Sequence, residues 1–194
     1  MTKSIDFYFD FISPYSYLAY KRIKFINEKD KLRINYKPIL LGGLHKLGDI
    51  TAPAFNERKM KNMKNDCELV ALKNKIEFKW NSKFPINTLY LMRGYLVIND
   101  NLKEKFFEIC FDAYWKDDID ISVEKNLDQI LNLVKIDKKK FFEDIQDIKI
   151  KNTLKDLTNA AFKKDIFGAP TFIVNGKIFW GQDRLDYAMD EYNS

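Results

Sequence analysis

A chain of 194 residues with 46% hydrophobic and 15% aromatic content can bury a real core, as one ordinary domain or one domain carrying a large insertion, which excludes a disordered chain. Its 33 Lys+Arg against 28 Asp+Glu give a formal charge of +5, but the signs are interspersed. Even Lys138-Lys139-Lys140 runs into Phe-Phe-Glu-Asp, a solvated helix face rather than the basic stripe a nucleic-acid reader needs.

The first element is expected at residues 5–11, whose alternating Ile5-Asp6-Phe7-Tyr8-Phe9 has strand composition and leaves no room for a leader peptide after Met1-Thr2-Lys3-Ser4. No later apolar run approaches the ~20 residues that span a bilayer, so the expected compartment is the cytoplasm and no membrane partner is expected. Residues 17–28 have helical spacing at Leu18, Ile23, Phe25 and Ile26, and residues 32–41 read as a second strand. That order is a βαβ unit with parallel strands. Gly42-Gly43 and Gly48 then loosen the chain around His45, the only histidine, which reads as polar loop surface.

From Ala54 to about Lys164 the only glycine is Gly94, and the stretch reads as a set of helices. Helices are placed at 54–73 after Pro53, from Asn87 through Leu96, at 103–115 with a stripe of Phe106, Phe107, Cys110, Phe111 and Tyr114, at 126–133 and at 138–144. Asn87 itself fits a helix cap. Asp117, Asp118 and Asp120 lack an EF-hand pattern and mark a turn, so no metal is expected there. Near Gly168 the pattern changes: Thr171-Phe172-Ile173-Val174 is a strand, Asn175-Gly176 a tight turn, Lys177 to Trp180 its partner, and 184–192 a closing helix. Trp115 and Trp180 read as core or pocket wall. Cys67 and Cys110 form no CxxC and stay thiols in a reducing compartment, Cys110 in the core and Cys67 half exposed among charged neighbours.

Ser13-Pro14-Tyr15-Ser16 occupies the first strand-to-helix junction, and Gly168-Ala169-Pro170-Thr171 precedes the hairpin. Alone, Ser13-Pro14 is an ordinary N-cap followed by proline in the first turn. Together with the βαβ and ββα halves, the two segments resemble a thioredoxin fold, with two hydroxyls where a redox thioredoxin carries two thiols. The expected fold class is therefore α/β, a thioredoxin-like fold with a large all-helical insertion as in DsbA. Residues 1–50 and 165–194 form the thioredoxin-like domain, and 51–164 the insertion.

Four segments in this order, "DFYFDFISPYSYLA", "FDAYWKDDIDIS", "FGAPTFIV" and "FWGQDRL", resemble the 2-hydroxychromene-2-carboxylate isomerase family, relatives of kappa-class glutathione transferases, over nearly the whole chain. The resemblance implies glutathione as cofactor, a small aromatic substrate and a homodimer. It implies Ser13, beside Pro14, as the residue that works on the glutathione sulfur, and a cis bond before Pro170 with Ala169 offering its backbone to the cysteinyl part. It further implies Asp183 with Gln182 at the amino end of glutathione and Lys59 near a carboxylate. The resemblance also implies Asp49 as a glutathione-binding position, where relatives often carry asparagine; an acidic side chain there repels a carboxylate, so either the loop containing His45 and Asp49 is differently placed or the ligand is not quite the usual one. A serine can only hydrogen-bond to a thiol, where a cysteine would form a mixed disulfide, so redox chemistry is disfavoured. The competing expectations are a kappa-like transferase and a thioredoxin-fold module that binds thiols or peptides without turnover.

Overall fold

Alternation along the first strand decides which side of the sheet receives which core. In the computed structural model, which describes residues 3–194 apart from the side chains of 28–30, β1 (Ile5–Phe9) is the second of four strands in the order β2-β1-β3-β4. Ile5, Phe7 and Phe9 point into the large aromatic core, and Tyr8 points into a smaller cluster on the opposite face with Ile39, Leu44, Ala161 and Ile166. β1 pairs in parallel with β2 (Ile34–Pro38), joined to it by α1 (Pro14–Asp30), so the expected βαβ unit is present. On its other side β1 runs antiparallel to β3 (Thr171–Val174), which pairs with β4 (Lys177–Trp180). The hairpin turn places Asn175 at φ 49° and Gly176 at φ 80°, the two positive φ values that an Asn-Gly turn supplies cheaply.

Between β2 and β3 lie α2 (Leu41–Leu47), α3 (Glu57–Asn74), α4 (Leu89–Val97), α5 (Asp100–Trp115), α6 (Glu124–Val134), α7 (Lys138–Asp144) and α8 (Ile148–Phe162), and α9 (Leu185–Asn193) closes the chain. Two helices depart from the sequence reading. α2 lies where the glycines predict a loop, because its start is held from outside: Asp10 accepts from the Leu41 N–H at 2.8 Å and the Thr158 hydroxyl accepts from the Leu40 N–H at 3.0 Å. α8 has no counterpart among the helices placed in the glycine-poor stretch; it packs on α2 and β2, covering the second face of the sheet.

Cys67 also departs from its expected half exposure. It is fully buried, because Met63, Cys67 and Ala71 form an i, i+4, i+8 stripe on the inner face of α3, and burial pushes its thiol up. Cys110 is buried as expected.

Candidate active site

Ser13 ends the β1 turn and caps α1, and its hydroxyl is used twice. It accepts from the Ser16 N–H at 3.1 Å, the N-cap bond, and donates to the Ala169 carbonyl at 2.8 Å across 156 residues of chain. Pro14 follows in the first turn, where a missing N–H costs nothing. The Ala169-Pro170 bond is cis, as the resemblance implied, and Phe84-Pro85 is cis as well, which the sequence reading did not foresee. Ser13 is thus both the ordinary cap and a strap to the proline turn.

The turn from Asp10 to Ser13 is built on a buried carboxylate. Asp10 is 1% exposed, and its Oδ1 accepts from the Ile12 N–H (3.1 Å) and the Thr88 hydroxyl (2.6 Å), its Oδ2 from Leu41 N–H, while its backbone carbonyl accepts from Ser13 N–H (3.0 Å). One side chain therefore joins β1, the start of α2 and the entry to α4. Burial nonetheless holds its carboxyl above the ordinary aspartate range, the hydrogen bonds from Thr88, Leu41 and Ile12 pulling the other way.

These elements enclose a cavity of about 970 Å³. Ser13, Tyr15 and Asp10 lie along it, α2 contributes Leu41, Gly42, His45 and Lys46 from one face, and α3 contributes Lys59 and Met63. Its wall is apolar: Ile50, Phe55, Phe84, Phe167 and Trp180. Phe55 is 77% exposed and Trp180 51%, so both present apolar surface at the edge of the cavity. The Phe167 and Trp180 rings lie 4.6 Å apart, and a Cβ on Gly168 would fall 2.5 Å from Trp180 Nε1. Gly168→Ala is expected to push the indole off Phe167 into water, costing about 1–3 kcal/mol. A red shift in tryptophan emission with a lowered urea midpoint checks it, and an unshifted spectrum would contradict this packing.

Of the residues singled out by sequence, Ser13, Pro14, Lys59 and Ala169 line the cavity. Pro170 is buried behind it, its carbonyl accepting from Gly181 N–H at 2.9 Å, which sets the 181–183 turn beside the cis proline. Gly181 sits at φ 107°, and a Cβ there would meet Asp183 Oδ1 at 2.5 Å, so this turn requires glycine. Asp183 is exposed beside that turn, and Gln182 is mostly buried, its carbonyl accepting from Arg22 Nη1 at 2.9 Å. Asp49 is exposed, at φ 51° just beyond α2, and is not part of the cavity lining. Asn87 lies on the lining and accepts from the Leu89 N–H at 2.9 Å, a cap-like bond at the start of α4.

Sequence reasoning missed Asp10 and misread His45. Asp10 had a signal, an acidic residue inside the aromatic run Phe7-Tyr8-Phe9-Asp10-Phe11, where burial demands partners. His45 is not loop surface. It sits on α2, half-buried and facing the cavity, and burial lowers its pKa.

A parallel-antiparallel four-stranded sheet, a capped helix after β1 and a cis proline before β3 define a thioredoxin-fold protein, and a DSBA-like thioredoxin domain model matches residues 4–193. The 2-hydroxychromene-2-carboxylate isomerase of Sphingobium xenophagum is 30% identical, with 96% of each chain covered. The chain belongs to the DSBA-like thioredoxin family and, within it, to that of the 2-hydroxychromene-2-carboxylate isomerases. Glutathione S-transferase kappa 1 of Caenorhabditis elegans is 26% identical over 96% of this chain and 89% of its own. The solved structure of a 2-hydroxychromene-2-carboxylate isomerase superposes with a TM-score of 0.88 at 23% identity, covering 97% of this chain and 94% of that one, which bears on the fold. Among the described residues no helix is long and apolar enough to cross a membrane.

Proposed function

We propose that this chain is a glutathione-dependent cis-trans isomerase of the 2-hydroxychromene-2-carboxylate isomerase type, acting on an unsaturated aromatic pyruvate-like substrate. The observation that carries the reading is Ser13: a hydroxyl at the amino end of a 17-residue helix, strapped to the residue before a cis proline, and opening on an apolar cavity with lysines beside it. When bound, glutathione supplies a thiolate that adds reversibly to the activated double bond, leaves it free to rotate and is not consumed.

The residues suit that group. The cavity volume accommodates a tripeptide together with an aromatic acid. Lys59, joined on the lining by Lys46, meets carboxylates, and exposed Asp183 with Gln182 takes the ammonium end. Ala169 offers backbone to an extended peptide beside cis Pro170. Asp49, off the lining, leaves the anionic end unopposed. Phe55, Phe84, Phe167 and Trp180 cover the aromatic part and keep water away.

In the complex Ser13 exchanges acceptors. Its proton leaves the Ala169 carbonyl for the thiolate, trading a neutral bond for a charge-assisted one. Helix N–H groups and the dipole favour the same anion. Ionisation alone gains little: lowering a thiol pKa by two units costs about 2.7 kcal/mol of anion preference, and a Brønsted coefficient of ~0.4 to 0.5 returns most of the tenfold gain as lost nucleophilicity. Positioning, worth ~7 to 11 kcal/mol, carries the rate. Ser13→Ala is accordingly expected to lower turnover of 2-hydroxychromene-2-carboxylate by about a hundredfold, with glutathione affinity within about threefold. Calorimetry on both proteins tests this, and absence of binding at millimolar glutathione would overturn the reading.

A kappa-like transferase is the second reading, favoured by the kappa relatives that align over nearly all of this chain. Net thiol loss, absent for an isomerase, distinguishes it; a non-catalytic thiol-binding module would show binding without turnover of either kind. The same proposal makes the protein a cytoplasmic homodimer without nucleic-acid or membrane partners, which light scattering and fractionation test.

A further inference from the structure

The geometry points to His45 as the base that takes the thiol proton of bound glutathione. This rests on the glutathione reading above and extends it, since Ser13 orients sulfur but its neutral hydroxyl is far too weakly basic to take the thiol proton.

The argument runs through the side chains that share the cavity. Asp10 has both carboxylate oxygens occupied by the N–H groups of Ile12 and Leu41 and the Thr88 hydroxyl. Tyr15 donates to Asp66 at 2.8 Å, and burial together with that carboxylate pushes its phenol up. Lys46 and Lys59 present ammonium groups, which have no lone pair to receive a proton. Thr51, Asn87 and Thr88 are too weakly basic. His45 alone has a nitrogen of the right basicity.

Its placement is fixed rather than incidental. The Asp10 carboxylate holds the first amide of α2, and its backbone carbonyl holds the Ser13 amide, so one residue sets the helix bearing His45 and the turn bearing Ser13 in a common frame. Leu41, Gly42, His45 and Lys46 line the cavity from α2, and Gly42 has nothing within 4 Å of where a Cβ would stand, so the helix leaves open space at that position one turn before His45. The charged or titratable groups facing it across the cavity are Asp10 and Tyr15 from the β1–α1 side and Lys59 from α3, with Lys46 beside it. From α8, packed behind α2, Thr158 meets Leu40 and Gly43 and Phe162 meets Gly48, and neither titrates.

Burial lowers the imidazole's affinity for a lone proton, and no hydrogen bond or neighbouring charge contributes to that shift. The ring therefore waits neutral. A thiolate formed beside it changes the balance, because an imidazolium-thiolate pair cancels charge inside an apolar wall where either ion alone is penalised. The S–H bond breaks, an N–H bond forms on the ring, and both electrons stay on sulfur. The proton returns when the thiol is released, and no oxidant or reductant is needed.

A single histidine makes the test direct: its imidazole C–H resonances are titrated in the wild type with and without saturating glutathione, binding being verified by calorimetry. The midpoint is expected to move upward with glutathione bound. In His45→Gln, glutathione affinity is expected within about threefold, while ultraviolet thiolate absorbance of the bound ligand near neutral pH falls about tenfold. An unmoved midpoint in the wild type with glutathione bound overturns the role of His45 and leaves the functional reading standing. So does unaltered thiolate absorbance in the variant. No glutathione binding by the wild type overturns the functional reading and this inference together. The wild-type titration decides the matter even if the variant does not fold.

Discussion

Replacing Phe107 with alanine is expected to lower the unfolding free energy by about 3–5 kcal/mol, among the largest losses available to a single truncation in this chain. The ring is 2% exposed and sits where the helical layer meets the sheet. Its centroid lies 4.5 Å from Phe9, 4.6 Å from Tyr20, 4.8 Å from Tyr36 and 4.9 Å from Phe111, with Phe11 at 5.5 Å and Tyr95 at 5.8 Å. Most of these are edge or tilted contacts, the geometry that ring quadrupoles favour. Those partners come from β1 and the turn after it, α1, β2, α4 and α5 itself, so a void there cannot be filled by moving one element without disturbing another. Urea unfolding should show a lowered midpoint at similar slope. A loss under about 1.5 kcal/mol would mean that the surrounding rings collapse into the space, and that the cluster is looser than its spacings indicate.

This cluster was partly legible beforehand. The stripe Phe106, Phe107, Cys110, Phe111, Tyr114 marked the buried face of α5, and every one of those residues is buried. The hairpin and its strands fell where the Asn-Gly turn and β-branched run placed them, because those signals are local. The βαβ and ββα order is legible in the strand and helix patterning, whereas the cis bond before Pro170 comes from resemblance rather than periodicity. What could not be read locally depends on contacts distant in sequence. α2 is a helix over Leu-Gly-Gly because Asp10 and Thr158, 31 and 118 residues away, satisfy the N–H groups at its start. The place of His45 follows from that helix, which is why a lone histidine between glycines read as surface. Cys67 was misjudged by its neighbours in sequence, though its i±4 neighbours Met63 and Ala71 already gave the buried stripe. Site residues are legible when a motif names them, and obscure when a tertiary hydrogen bond does.

Asp10→Ala is expected to cost about 3 kcal/mol and to damage the site through the elements that the carboxylate joins. The substitution orphans the Ile12 and Leu41 N–H groups and the Thr88 hydroxyl, and an unsatisfied buried donor costs ~1–3 kcal/mol. The sum stays below three full penalties because Asp10 borders the cavity, from which water reaches some of these groups. Asp10→Asn is the sharper probe. Its carbonyl oxygen keeps the Ile12 and Thr88 bonds, but its amide nitrogen faces the Leu41 N–H, donor against donor, so the loss concentrates on the start of α2. Thr88→Val, which removes one donor and leaves the carboxylate two, should cost less, about 1–2 kcal/mol. If the carboxylate aligns α2 with the Ser13 turn, the Asn variant loses turnover beyond what Thr88→Val loses, and amide exchange at Leu41 and along α2 speeds up while the sheet stays protected. Equal losses in the two variants, or unchanged exchange in α2, would show that Asp10 merely fills a polar hole and that α8 alone holds α2 in place.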